Sequence, residues 1–151
     1  MTWTPRVTVA AVIERNGRFL MVEEESDGKA VFNQPAGHLD PGESPVQAAI
    51  RETLEETAWH FQPVAVVSVY LWTYRVTGVS YFRVAFCGDC TGHEPDRPLD
   101  HGILRAVWLT REELPKERLR SPMVLRTLDD YLAGRRYPLD LIAYLDADPE
   151  V

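Results

Sequence analysis

Three glutamates stand close together in this chain, at Glu52, Glu55 and Glu56. At 3.6 residues per helical turn, Glu52 and Glu56 point about 40° apart, and Glu55 lies roughly 60° to the other side of Glu52. All three therefore share one helical face, where like charges repel. Hard divalent cations such as Mg²⁺ favour oxygen ligands of this kind. The pattern predicts a metal-binding face, and a solvated acidic face is the alternative.

The residues around these glutamates resemble the Nudix box. Upstream of them, at the spacing of that box, stand a glycine, a glutamate and an arginine, which here are Gly37, Glu43 and Arg51. The resemblance extends over most of the chain, including the region around Trp72 and Arg83, where the sequence is similar to the NudJ-type phosphatases of the family. With this spacing, metal binding is favoured strongly over a solvated acidic face.

The resemblance implies an α/β fold, an α/β/α sandwich with a central mixed sheet, formed as a single domain by residues 1–151. It implies a hydrolase that uses Mg²⁺, with Mn²⁺ as an alternative ion, and binds a small-molecule diphosphate. Expected substrates are nucleoside tri- and diphosphates and the thiamine-precursor hydroxymethylpyrimidine pyrophosphate, cleaved by attack of water on phosphorus. The alternatives are a hydrolase of another organic diphosphate, such as a nucleotide sugar, and a nucleotide-sensing module that does not cleave.

The box residues have distinct expected roles. By resemblance to the family, Glu52 and Glu56 are direct metal ligands, and Glu55 is a ligand or takes a proton from water. Which carboxylate acts as base stays open. The guanidinium of Arg51 is always charged and has several N–H donors in one plane. We therefore expect it to serve catalysis by holding Glu52 or Glu43 rather than substrate.

Three further positions are predicted to line the substrate site. Gly37 permits either a positive φ or a close approach of the backbone. Gln34, just ahead of it, is a candidate hydrogen-bond partner for the ligand. Trp72, with Tyr74 and Tyr81, would stack on a flat base or pyrimidine ring, unless these strand aromatics belong to the core.

Residues outside the box must supply two further kinds of group to the site. Many relatives use one more acidic group from a late loop, and Asp100 is the first candidate for it, Asp96 the second; a solvated loop aspartate is the alternative. The substrate's phosphates need positive partners, and Arg83 is favoured over Arg75 and Arg97 because its strand resembles the relatives.

Composition narrows the class of protein. A chain of 151 residues suits one domain, and a net charge of −7 argues against nucleic-acid polymers and membranes as partners. No apolar run approaches 18 residues and no basic-plus-apolar leader is present, which predicts a cytoplasmic location. The resemblance favours a monomer over a dimer. Cys87 and Cys90 are interpreted as ordinary thiols at a strand end, because a zinc site needs a second ligand pair.

The helix that carries the glutamates has a clear predicted start. Ser44 is a cap, Pro45 suits the first helical position, and Gln47 completes a capping box. At the other end, Ala58 stands where the box usually has glycine, so we expect the helix to end differently. Ala48, one turn before Glu52, is expected to leave room for a ligand.

The other elements follow from hydrophobic alternation and turn residues. Asn16-Gly17 predicts a hairpin, and Gly88-Asp89 is interpreted as a turn that opens a loop. The predicted strands are 6–13, 19–22, 30–32, 64–74, 80–87 and 103–109, with a loop over 88–101, a helix from 122 to about 133 and a short terminal helix over 137–145.

Overall fold

The computed structural model describes residues 2–145. Along that stretch the chain forms seven strands, two α-helices and two single-turn 3-10 helices. The strands are β1 (Arg6–Arg15), β2 (Arg18–Ser26), β3 (Lys29–Asn33), β4 (Ala36–His38), β5 (Trp59–Tyr74), β6 (Val79–His93) and β7 (Ile103–Leu109). The helices are α1 (Pro45–Thr57) and α2 (Met123–Leu132), and the 3-10 turns are Lys116–Arg118 and Leu139–Leu141.

The sheet is mixed and divides into two parts that share one hairpin. In one part, β1 runs parallel to β6 and antiparallel to β4, and β5 pairs with the far side of β6. In the other, β2 lies between β3 and β7. The β1–β2 hairpin joins them through the predicted turn, in which Asn16 and Gly17 have φ of 52° and 77°. Positive φ at both central residues matches the twist of the flanking strands.

Alternate residues of β1 face opposite layers. Val9, Ala11 and Ile13 pack in a cluster with residues of α1, whereas Ala10 and Val12 pack in a cluster with residues of α2. Successive side chains of a strand point to opposite faces, so a run of buried residues needs cover on both sides. The α/β/α arrangement is confirmed. Neither helix within residues 2–145 has the length and apolar character needed to cross a bilayer.

The start of α1 is capped as its sequence predicts. The Gln47 N–H donates to Ser44 Oγ at 3.1 Å, and the Ser44 N–H donates to Gln47 Oε1 at 2.9 Å. Pro45 occupies the first helical position. Two of the backbone donors that a helix leaves unpaired near its start are thereby satisfied.

The end of α1 differs from the expectation. Ala58 adopts the left-handed conformation itself, with φ of 63°, and its N–H donates to Leu54 O at 2.9 Å. The expectation of a different helix end is therefore wrong. Alanine pays roughly 1–2 kcal/mol for this conformation, and burial of its methyl group, in a residue only 3% exposed, offsets part of that cost.

The predicted turn at Gly88-Asp89 is wrong because β6 runs straight through it. A Cβ at Gly88 would lie 2.0 Å from Gln62 O on the paired strand, so the glycine serves a close approach between strands. Cys87 and Cys90 pack in clusters on opposite faces of the sheet, as unpaired thiols.

The terminal helix predicted over 137–145 is also wrong. Tyr137 forms an isolated bridge with Val66 on β5, and its N–H and C=O exchange 2.8 Å hydrogen bonds with that residue. Only Leu139–Leu141 forms a single 3-10 turn there. Pairing with the sheet has therefore taken precedence over helix formation in this segment.

Removal of the Ser44 hydroxyl tests the helix start. Ser44→Ala should lower the free energy of unfolding by about 1 kcal/mol, because the Gln47 N–H loses its acceptor. Urea denaturation measures the change. Ser44→Asp is the matched control, since its carboxylate keeps an acceptor at the same position, and equal losses in the two variants would contradict the capping role.

Candidate active site

Arg51 joins the residues of the acidic loop to those of α1. Its Nε and Nη2 donate to the two carboxylate oxygens of Glu43 at 3.0 and 2.7 Å, and Nη1 donates to Glu52 Oε1 at 2.9 Å. Nη2 also donates to His38 O at 3.0 Å. Arg51 therefore holds both Glu43 and Glu52, where the sequence left a choice between them. The hydrogen bond from Arg51 also holds the pKa of Glu43 below its usual range.

Gly37 lies directly against Glu52. A Cβ at position 37 would be 2.1 Å from Glu52 Cδ, far inside van der Waals contact. The φ of Gly37 is not in the left-handed region. Of the two expected reasons for glycine here, the structure supports the close approach. Strand β4 can lie beside α1 only because this residue has no side chain.

Three carboxylates come together at one end of α1. Oxygen atoms of Glu52, Glu55 and Asp100 lie within 4.8 Å of one another. The late loop delivers Asp100, whose N–H donates to Glu55 O at 3.0 Å. An all-oxygen cluster of this size fits a hard cation such as Mg²⁺. Asp100 is therefore the loop carboxylate that meets the helix, and Asp96 is not in the cluster.

Glu56 lies outside this three-carboxylate cluster. Its side chain is buried, and its Oε1 accepts the Ala36 N–H at 2.9 Å. Burial raises the pKa of Glu56 to about 9, against the lowering effect of that hydrogen bond. Burial likewise raises the pKa of Glu52 to about 7, and the nearby Glu55 and Asp100 raise it further while Arg51 lowers it.

The row of Ala48, Glu52 and Glu56 runs along the buried edge of α1. Ala48 is fully buried in the cluster that contains Val9 and Ala11 of β1. The expectation that Ala48 leaves room for a ligand is therefore wrong, because the row turns toward the sheet. This orientation is what buries Glu56 and gives its carboxyl a raised pKa.

A cavity of about 560 Å³ connects the glutamates with a wall of aromatic rings. Trp72 lies 5.9 Å from Tyr81 and 5.5 Å from Tyr74, ring centre to ring centre, at interplanar angles of 22° and 24°. All three line the cavity together with Glu52 and Glu56. The aromatic residues thus belong to the cavity wall, rather than to the core that was the alternative.

Two predicted substrate contacts are used inside the protein. Gln34 is 1% exposed; its Nε2 donates to Val124 O at 2.8 Å and its Oε1 accepts from Arg83 at 2.9 Å. The prediction that Gln34 binds the ligand is wrong. Arg83 lines the cavity but is 3% exposed, and both its terminal nitrogens are held, by Gln34 and Thr127 on one side and Asn33 on the other.

Arg83 is therefore not a free phosphate clamp, which corrects its predicted role. Burial lowers its pKa to about 10. Of the weaker candidates, Arg75 is exposed and Arg97 lies 3.6 Å from Glu94. The arginine that lines the cavity at the surface is Arg120, whose Nη1 donates to Glu24 at 3.2 Å.

Glu24 and Asn33 line the same cavity, and sequence reasoning did not find them. The predicted strand ends at residue 22, whereas β2 continues to Ser26. The alternation along this strand could have indicated the position of Glu24. Glu24 lies two residues after the apolar Val22, so the two side chains project from the same face, and both residues pair with β3.

Known proteins resemble this chain in sequence and fold. A family model described as NUDIX domain matches residues 3–128. The chain is 40% identical over 139 residues to Phosphatase NudJ of Escherichia coli K12, which covers 91% of this chain and 90% of that protein.

Solved structures resemble the fold. A NUDIX hydrolase from Nitrosomonas europaea superposes with a TM-score of 0.94 at 46% identity, covering 96% of this chain and all of that one. A MutT NUDIX hydrolase from Burkholderia pseudomallei shares the fold alone, with a TM-score of 0.71 at 22% identity over 85% of this chain and 98% of that one.

A methyl group at position 37 tests the contact between β4 and Glu52. Gly37→Ala should lower turnover by about 10²-fold, because the Glu52 carboxylate must move by an ångström or more. Phosphate release and the concentration of divalent metal needed for half-maximal rate measure the effect. Gly92→Ala is the matched control, since its Cβ would meet its nearest neighbour at 3.7 Å. Similar rates in both variants would refute the contact's importance.

Stability of the metal-free protein should fall as pH rises. Glu56, with a pKa of about 9, and Glu52, with a pKa of about 7, bind protons in the folded state that the unfolded chain has already lost above about pH 4.5. The free energy of unfolding should therefore decrease by several kcal/mol between pH 5 and 9. Denaturation at several pH values measures this.

Two comparisons sharpen that pH experiment. Glu56→Gln should flatten the decline, because the amide does not titrate, whereas Glu25→Gln should leave it intact, since Glu25 is exposed and outside the cavity. Stability that stays level from pH 5 to 9 in the parent protein would contradict the raised pKa values.

Proposed function

This chain belongs to the Nudix hydrolase family, and we propose that its substrates are nucleoside tri- and diphosphates and the pyrophosphate ester of the thiamine-precursor hydroxymethylpyrimidine. Its relatives include phosphatases named NudJ. Pyrophosphohydrolase chemistry follows from the family. The identity of the organic group and the use of Mg²⁺ are the parts that we propose.

One observation carries the proposal: a single cavity is lined both by Glu52 and Glu56 of α1 and by stacked aromatic rings. The carboxylates suit a cation and phosphoryl oxygens, and the rings suit a flat ring of the ligand. A molecule that joins a diphosphate to a heterocycle has both groups. The cavity volume of about 560 Å³ is within the range of small-molecule sites.

In the proposed reaction, Glu52, Glu55 and Asp100 would hold Mg²⁺, and Glu56, from the same helical row as Glu52, would be a further ligand. When bound, the ion supplies positive charge against the phosphoryl oxygens and lowers the pKa of water. Mn²⁺ offers similar coordination. The donor set supports this, since the oxygens of Glu52, Glu55 and Asp100 lie within 4.8 Å of each other.

Arg51 and Glu55 have different roles in the proposed reaction. Arg51 fixes Glu52 through a 2.9 Å hydrogen bond, so this carboxylate is held in one position. Glu55 is held more weakly, at 3.5 Å from Arg51, and its side chain is 30% exposed. We assign Glu55 the transfer of a proton from water, because it is the box carboxylate with the most freedom to approach solvent.

The net charge of the protein supports a small-molecule substrate over a polyanionic partner. With a net charge of −7, the protein as a whole repels polyanions such as nucleic acids and anionic membrane surfaces. A small diphosphate reaches an acidic site only with a cation and local arginines, of which Arg120 lines the cavity. We also propose that the protein acts in the cytoplasm as a monomer.

A phosphate-release assay tests the proposal. With Mg²⁺, the protein should hydrolyse members of a panel of nucleoside di- and triphosphates, hydroxymethylpyrimidine pyrophosphate and nucleotide sugars, and chelation should abolish the activity. Glu56→Gln should lower turnover by at least about 10²-fold, as expected for loss of a metal ligand. The fold should survive, because the amide oxygen can still accept the Ala36 N–H.

The control and the results that would contradict the proposal can be told apart. Glu25→Gln is the control and should retain full turnover. Near-normal activity of Glu56→Gln would contradict its assignment to the metal. Activity confined to nucleotide sugars would replace the proposed substrates, and binding of the panel without any turnover would identify a nucleotide sensor.

A further inference from the structure

Arg120 lines the cavity with part of its guanidinium unused. Its Nη1 donates to Glu24 at 3.2 Å, and neither Nε nor Nη2 has a hydrogen-bond partner within residues 2–145. The side chain is 44% exposed. Nε and Nη2 share one edge of the planar guanidinium, so they can donate two parallel hydrogen bonds to two oxygens of one anion.

Arg51 and Arg83 cannot offer the same edge to a ligand. Arg51 uses it for Glu43, whose two oxygens accept from Nε and Nη2 at 3.0 and 2.7 Å. In Arg83, both terminal nitrogens donate to protein groups and Nε is buried. The occupied edge of Arg51 shows how two oxygens of an oxyanion fit a guanidinium, and in Arg120 that edge is open.

A chain of hydrogen bonds holds Arg120 in the cavity wall. It begins at buried Arg83, whose Nη2 donates to the carbonyl oxygen of Asn33 at 2.8 Å. The Asn33 amide is hydrogen-bonded in turn to the Glu24 carboxylate, which also accepts from Arg120. The backbone adds a further contact, since the Arg120 N–H donates to Phe32 O at 2.9 Å. Part of the freedom that a long side chain loses on binding a ligand is therefore lost already.

The pair of Glu24 and Arg120 lies near the carboxylates of α1. Glu24 and Glu56 line the same cavity. Burial is the main cause that raises the pKa of Glu56, and the charges of Glu52, Glu24 and Asp100 raise it further. Because the interaction of two charges weakens with distance, Arg120 is within electrostatic range of the candidate cation site through its contact with Glu24.

The candidate site needs an additional positive charge for an anionic substrate. Four carboxylates contact Arg51, and Asp100 joins them at the end of α1. When these groups are ionised, their negative charge exceeds the positive charge of Arg51 and a divalent cation together. A diphosphate would be repelled by this excess unless another cationic side chain met it.

We propose that Arg120 binds a phosphate of the substrate through Nε and Nη2, and that Glu24 and Asn33 are positioning residues that hold Arg120 for this contact. Two oxygens of the phosphate accept from the open edge while Nη1 stays on Glu24. The charge of Arg120 also opposes the negative charge that develops on the phosphoryl oxygens during hydrolysis. The inference rests on the proposed function, since it names the residue that meets the diphosphate in that cavity.

Two replacements of Arg120 test the contact. Arg120→Lys keeps a charge that can pair with Glu24 but loses the planar edge, and it should lower kcat/KM for nucleoside diphosphates by about tenfold. Arg120→Gln loses the charge as well and should lower kcat/KM by about 10²-fold. Parent-like kcat/KM in Arg120→Lys would overturn the inference, because pairing with Glu24 would then account for the arginine. If Arg120→Gln does not fold, as judged by its melting curve, Arg120→Lys decides the question.

Arg105→Gln is the matched control. Arg105 pairs with Glu23 at 2.9 Å, as Arg120 pairs with Glu24, but it is exposed and lies outside the cavity. Glu23 keeps Arg118 as a second partner. The control should therefore retain the parent kcat/KM, and a loss equal to that of Arg120→Gln would overturn the inference by showing a general effect of charge.

The positioning role of Glu24 is tested by a double variant. Glu24→Ala should lower kcat/KM by about tenfold, because Arg120 loses the acceptor that holds Nη1. In the Arg120→Gln background, Glu24→Ala should cause no further loss, since Glu24 acts through Arg120. Losses that add in the double variant, or unchanged kcat/KM in Glu24→Ala alone, would overturn this role.

Failure of the proposed function would be recognised separately. If the parent protein released phosphate from no diphosphate, calorimetric titration with inorganic pyrophosphate and Mg²⁺ would still measure the phosphate contact, since this probe has no ring to stack on the aromatic wall. Affinity weaker by about tenfold or more in Arg120→Gln than in the parent protein would support the assignment. Equal affinities, or no binding by either protein, would refute it.

Discussion

The guanidinium of Arg51 lies among four carboxylates of the candidate active site. Arg51 contacts Asp40, Glu43, Glu52 and Glu55, at distances from 2.7 to 3.5 Å. Without this positive charge, the acidic loop and the acidic face of α1 would repel each other. With it, the loop is tied to the helix, and Glu52 is held where the late loop brings Asp100. The carboxylates that suit a cation are therefore brought together by contacts within the protein.

The position of Glu52 also restricts the residues of strand β4 that lie against α1. Glu52 can lie flat against β4 because Gly37 offers no Cβ at that point. Glu56, one turn further on, accepts the N–H of Ala36 from the same strand. The helix and the strand thus share their polar groups across a close interface, and the raised pKa values of Glu52 and Glu56 are a consequence of burial there.

A second polar network in the cavity wall is centred on an arginine. Arg83 is fully enclosed, and it ties Asn33 and Gln34 to Thr127 on α2. The wall of the cavity therefore combines carboxylates of α1 with a hydrogen-bonding network built around an internal arginine. Both groups have side chains held in defined orientations, which is what selective binding of a two-part substrate requires.

Local patterns in the sequence were sufficient for the acidic helix α1 and the start of that helix. The spacing of Glu52, Glu55 and Glu56, the capping residues before them and the hairpin at Asn16-Gly17 depend on neighbours within a few positions. Long-range contacts decided the rest, since Gly88 serves strand pairing, Gln34 accepts a hydrogen bond from Arg83, and Glu24 and Asn33 reach the cavity wall through the pairing of β2 with β3. Periodicity records which residues share a face, whereas only the folded chain decides which faces meet.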